Sequence, residues 1–112
     1  MTDMSHYRDA FLSDAYASVE NIRSALMYLA DKPADHDALF EVMRLFHSIK
    51  SASAMMGYAD MSQTCQEQEH VFKTLYESES MTEDTLREHA VQAVETIRNG
   101  LQAIQNQVSC GL

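Results

Sequence analysis

The chain has 112 residues, 46% of them hydrophobic, and carries a net charge of −9 from 17 Asp and Glu against 8 Lys and Arg. That length suits one domain over residues 1–112 with a modest core. The negative balance argues against nucleic acid and anionic membranes as partners, because both carry the same sign.

With 3 Gly and 1 Pro there are few breakers, and no alternating β-type run stands out, so the expected class is all-α. The spacing predicts a first helix over residues 5–30, with Phe11, Ala15, Val19, Ile22, Leu26 and Leu29 as its buried stripe and Asp9, Asp14 and Glu20 on other faces. Asp31-Lys32-Pro33 ends it, since proline disfavours helix at the residue before it. Asp35 then reads as the cap of a second helix over residues 36–56, with Leu39, Val42, Phe46, Ile49, Ser53 and Met56 along one seam. Gly57 closes that helix as a left-handed terminal residue.

Asp60, with Gln63 three residues on, reads as the cap of a third helix over residues 61–77. Its inner seam is Met61, Cys65, Gln68, Phe72 and Leu75. A polar link over residues 77–81 leads to Thr82 as cap of the fourth helix, with Glu83 and Asp84 placed where the helix dipole favours them. The fourth stripe is Leu86, Ala90, Ala93, Ile97, Leu101, Ile104 and Val108. Gly100 within it reads as a bend or break, and Gly111 as a stop. Four amphipathic helices with short links make an up-down-up-down four-helix bundle. The eight Met residues suit its core as adaptable fillers.

Cys65 and Cys110 are far apart and read as free thiols of a reducing compartment. No run reaches the roughly 18 apolar residues of a membrane span, and the N-terminus lacks a secretory apolar region, so the expected location is cytoplasmic.

The chemistry concentrates on the second helix. At about 100° per residue, His47 lies on the flank of the apolar seam, and Arg44, Lys50, Ser51 and Ala54 fall within roughly 60° of it. That face shows solvent an imidazole, two cations and small side chains. Lys50, one turn from His47, could attend an anionic group, and Arg44, one turn the other way, could do so or meet an acidic partner. Ser51 and Ala54 leave room for close approach. Phe40 and Met43 share the outer face and read either as an apolar docking patch or as side chains covered by the first helix. The turn centres near Tyr58; His47 lies eleven positions before it and Glu69 eleven after, so an antiparallel hairpin sets the two level. A carboxylate there could accept one ring N–H and fix the tautomer.

His47, Lys50 three residues on, the small residues through Ala54 and then Gly57 resemble the signature of the histidine phosphotransfer (HPt) family, most closely the N-terminal phosphotransfer domain of CheA-type chemotaxis histidine kinases. The family pattern is His-x-x-Lys-Gly, small residues, a hydrophobic residue and Gly; Ser51 stands where glycine is usual. The diagnostic part runs from Arg44 to Glu69. The resemblance implies that His47 accepts a phosphoryl group from a histidine kinase catalytic domain and passes it to the aspartate of a response-regulator receiver, with Glu69 orienting the ring. Gln66 stands where such domains often carry a second histidine. ATP and Mg would belong to the partner domains alone, because Gly-rich nucleotide loops are absent from this chain; it would be a carrier, not an enzyme.

Two other readings stand beside this one. A helical interaction module would keep the fold and bind a receiver or kinase without carrying phosphate. A metal-binding bundle would use His47, Cys65, Glu69 and His70, but no Cys-x-x-Cys, His-x-x-x-His or repeated Glu-x-x-His spacing occurs, so no metal is expected. Nothing in the pattern decides the oligomeric state.

Overall fold

A computed structural model describes residues 5–79 and 81–110, with the side chains of residues 5 and 107–110 outside the description. The chain forms α1 (Ser5–Asp31), α2 (His36–Met55), α3 (Ala59–Glu77) and α4 (Glu83–Cys110), and the described residues hold no strand. Each helix packs on its neighbour in the chain, and α1 packs on α4 to close the ring; among the described residues the diagonal helices do not bring their backbones close together. The result is an up-down-up-down four-helix bundle of 51 × 20 × 19 Å.

The expected stripes form one core. Phe11, Ala15, Val19, Ile22, Leu26 and Leu29 of α1 are buried, as are Leu39, Val42, Phe46 and Ile49 of α2 and Leu86, Ala90, Ala93, Ile97, Leu101 and Ile104 of α4. The α3 seam is narrower: Met61, Cys65 and Phe72 are buried, while Gln68 and Leu75 are half-buried. The Phe46 and Phe72 rings stack with centroids 5.8 Å apart, joining α2 to α3 at mid-height. The side chains of Val108 and Cys110, and the whole of Gly111, lie outside the description.

Local chemistry sets the helix ends. Asp35 caps α2 by accepting the Ala38 N–H at 3.2 Å, and that hydrogen bond holds its carboxyl below the ordinary range. Thr82 caps α4 by accepting the Thr85 N–H at 3.2 Å. At the other end of α2, Gly57 takes φ +82°, the Tyr58 N–H reaches Ser53 O at 2.8 Å and the Gly57 N–H reaches Ala54 O at 3.1 Å. This paired closure is a Schellman motif. It turns the chain so tightly that α3 begins at Ala59, with Tyr58 as its cap residue.

Two expectations are corrected here. Asp60 is not the cap of α3: the early turn places it inside the first helical turn, where its charge meets the dipole and its backbone carbonyl accepts a hydrogen bond from Thr64 Oγ1 at 2.9 Å. Gly100 does not bend or break α4, which runs unbroken through it. A Cβ there would lie 2.9 Å from Met61 Sδ, so the glycine lets α3 approach α4 closely.

Candidate functional site

His47 follows the fully buried Phe46, and one helical step carries its ring out of the core to solvent, leaving the side chain 64% exposed. Across the hairpin, Glu69 lies mostly under cover between α2 and α3. Its Oε1 is 3.7 Å from His47 Nδ1 and 3.4 Å from Lys50 Nζ. That oxygen has almost no contact with solvent and accepts no hydrogen bond of good geometry. One ring nitrogen therefore faces a carboxylate, and the other, Nε2, faces away from it. Below the pair, burial, with the Glu69 charge second, pushes the Cys65 thiol up to about 12, so it stays a neutral core group.

The remaining candidates divide along α2. Ser51 and Ala54 are exposed beside His47, and Phe40 is exposed one turn beyond Arg44. Met43 is half-buried and lines a groove of about 570 Å³ between α2 and α3, together with Lys50, Gln66, Glu69 and His70. Phe40 is left open to solvent, and Met43 also packs against the core. Arg44 is turned away from His47 and held by Glu41, with Nη2 2.6 Å from Oε1 and Nε 3.0 Å from Oε2; that hydrogen bond holds the Glu41 carboxyl below its ordinary range and raises Arg44. Gln66 is exposed in the groove. Among the described residues, no three His, Cys, Asp or Glu side chains come together as a metal-holding group, and no helix is long and apolar enough to cross a membrane.

Three features escape the sequence reading. Lys50 shares the Glu69 oxygen with His47, whereas its own level-mate across the turn is Gln66; only the reach of the lysine stem makes the contact. The Glu41–Arg44 pair was open to detection, because three-residue spacing on a helix brings opposite charges together. Met55, one turn past Ser51, is 88% exposed and lines a second groove with Tyr7 and Phe11 of α1.

A closed four-helix bundle that holds an imidazole in solvent, with a carboxylate behind its inner nitrogen, has the make-up of a histidine phosphocarrier. The model of the family described as Hpt domain matches residues 6–107. The chain belongs to the Hpt domain family, whose members are phosphotransfer carriers. It is 30% identical over 60 residues, 54% of its length, to the chemotaxis protein CheA of Bacillus subtilis (strain 168), and 30% identical over 59 residues, 53% of its length, to the chemotaxis protein CheA of Halobacterium salinarum. The matched part is 9% of the length of each of these relatives. No solved structure matches the chain significantly.

Proposed function

We propose that His47 Nε2 accepts a phosphoryl group from the catalytic domain of a histidine kinase and delivers it to the aspartate of a response-regulator receiver. In the first step the Nε2 lone pair attacks the γ-phosphorus of ATP held with Mg on the kinase; the Nε2–P bond forms, the P–O bond breaks and ADP leaves. In the second step the receiver carboxylate attacks the same phosphorus and the electron pair returns to Nε2. The single observation that carries the reading is the exposed His47 ring with Nδ1 toward Glu69.

Each neighbour has a part in this chemistry. Glu69 is a positioning residue: it accepts the Nδ1–H and steadies the positive charge that develops on the ring as Nε2 attacks. Lys50 supplies charge to the phosphoryl oxygens, a contact of roughly 1.5–3 kcal/mol when charge-assisted. Arg44 is held only by an exposed pair to Glu41, which is weak enough to exchange for a phosphoryl group or an acidic receiver surface. Ser51 and Ala54 leave space for the incoming aspartyl phosphate, and Phe40 with Met43 offers apolar contact to the visiting domain. The likeness to CheA over about half the chain makes a CheA-type kinase the natural phosphoryl donor to test.

Incubation with a CheA-type kinase core and labelled ATP should place acid-labile phosphate on His47, and His47→Gln should abolish it while the helical spectrum is unchanged. Label persisting in that variant would refute the assignment. A wild-type chain that binds a receiver yet never labels would make this an interaction module.

A further inference from the structure

The α1–α4 side of the bundle lies opposite the His47 face and carries an apolar strip that the described chain leaves uncovered. Leu26, Ala30, Ala90 and Val94 floor a groove of about 530 Å³, and Met27 and Val91 stand on its rim, 49% and 66% exposed. Exposed apolar side chains gathered over an apolar floor mark an interaction surface.

The charges on that rim show which partner fits. Arg87 meets Asp31 and Arg98 meets Glu20, contacts eleven residues apart on both helices. The two helices therefore keep one antiparallel register between them. Met27 is level with Val91, four residues in from the first contact, and Arg23 is level with Glu95, eight residues in. The rim sets Arg23, Arg87 and Arg98 against Glu20, Asp31, Glu83 and Glu95, so it is one charge from neutral in a chain of net charge −9. The remaining surface is strongly acidic and repels a second copy; this face does not. A partner of one sign, acidic or basic, would meet repelling charges along the whole rim.

We propose that this face pairs with the same face of a second copy, about a two-fold axis parallel to the helices. That axis sets α1 of one copy against α4 of the other at the same height. Met27 then meets the partner's Val91, Arg98 the partner's Glu20, Arg87 the partner's Asp31 and Arg23 the partner's Glu95, each contact made twice. Glu95 is exposed and has no ion pair among the described residues, so it is open to this one. A two-fold axis across the helices at the middle of the groove would instead oppose Glu20 to the partner's Asp31 and Arg98 to the partner's Arg87. Like charges reject that arrangement. The pairs within one chain are about half exposed and therefore weak, so their arginines can be shared. Two facing grooves enclose space, which the flexible Met27 side chain and the arginine stems are suited to fill. A side of 51 × 20 Å has room for the roughly 800 Å² per partner of a standard interface. Both His47 rings end on the outside of the pair, open to visiting domains, so the pairing is independent of the carrier reading.

Sedimentation of the full chain at physiological salt should give the mass of a dimer at about a hundred micromolar, within reach of a small charged interface. Val91→Glu puts an unpaired carboxylate in the apolar strip and should raise the dissociation constant at least about tenfold, with the helical spectrum and phosphoryl labelling unchanged. Arg98→Glu and Glu20→Arg should each weaken pairing as much, because each opposes like charges across the two copies. Mixed one to one, these two variants should pair at least about tenfold more tightly than either alone, since opposite signs face each other again.

A wild type that stays monomeric at that concentration overturns the proposal. Undiminished dimerisation of Val91→Glu overturns it too, since the contact would lie elsewhere. Failure of the mixed variants to recover overturns the parallel arrangement. A monomer whose groove takes up an apolar dye, and loses it in Val91→Glu, would assign the groove to a small ligand in place of a second copy.

Discussion

The α1–α4 face and the α2–α3 face are built from the same kinds of helix and end in opposite electrostatic states. On the α1–α4 face, Arg87 of α4 meets Asp31 of α1 at 3.0 Å and Glu83 of its own helix at 3.1 Å, Arg23 meets Glu20 within α1 at 2.8 Å, and Arg98 of α4 also pairs with Glu20. These ion pairs rim an apolar groove of about 530 Å³ floored by Leu26, Ala30, Ala90 and Val94. Across α2 and α3, the central carboxylate has two nitrogens near it and a good hydrogen bond to neither. The closed face contributes to holding the bundle shut. The open face keeps a polar group in reserve, and native proteins concentrate such shortfalls where chemistry happens.

The widest separation between the two roles should come from residues adjacent in sequence or across the hairpin. Phe72→Ala removes a fully buried ring that stacks on Phe46, and should cost about 3–5 kcal/mol in urea unfolding. His47→Gln, next to Phe46 and exposed, should shift stability by no more than about 0.5 kcal/mol while removing all phosphoryl label. A His47→Gln variant that unfolds like a core mutant would show that the imidazole holds the bundle together and would dissolve the contrast.

Glu69→Gln probes the open face with a smaller step. The shape is kept and the negative charge lost, so the ring N–H loses its ionic acceptor. The labelling rate should fall by about ten- to a hundredfold, less than the roughly 10²- to 10⁴-fold effect of a group that itself transfers the proton. Stability should move by under about 1 kcal/mol. Equal labelling of variant and wild type in a kinase time course would leave Glu69 as an ordinary surface-edge carboxylate.

Much of this arrangement was legible in the amino-acid sequence, for reasons that differ by residue. The proximity of His47 and Glu69 follows from counting about Tyr58, because Gly57 forces a compact turn and both residues stand one step past a seam position. Core stripes follow from period, since burial is what period encodes. Asp60 misled because an acidic residue followed by Gln three positions on is as compatible with the first turn of a helix as with its cap. Gly100 misled because its reason lies across the bundle at Met61, and one strand of sequence says nothing of a neighbour 39 positions away. The sharing of Glu69 by Lys50 was hidden for the same reason: register gives backbone height, and the reach of a flexible side chain decides the contact.

Ser53→Ala asks whether every unsatisfied polar group on α2 belongs to the function. Ser53 is fully buried on the seam and its Oγ has no hydrogen-bond partner. Alanine removes an orphan hydroxyl and improves helix propensity, so unfolding should show a gain of about 1 kcal/mol. Phosphoryl labelling should stay within about twofold, because Ser53 points into the core. A stabilised variant with normal labelling would confine the functional shortfall to Glu69. A loss of stability would mean that the hydroxyl has a structural use the rest of the bundle depends on.

The smallest effect belongs to the closed face. Arg98 and Glu20 link α4 to α1, and both side chains are about half exposed at 46% and 48%. Water and salt screen such a pair, and fixing two long side chains offsets part of its attraction. Arg98→Ala should therefore cost only about 0.5 kcal/mol at low ionic strength, and the difference should shrink toward zero in 1 M salt, where the screening length is about 3 Å. Glu20 keeps Arg23 as a second partner at 2.8 Å, so the loss leaves no bare carboxylate. A cost above about 2 kcal/mol that persists in high salt would mean that the α1–α4 face relies on its arginines as strongly as on its apolar floor. Its stability would then be ionic at root, and the two faces would differ in how well their charges are matched, with the apolar groove contributing little to the difference.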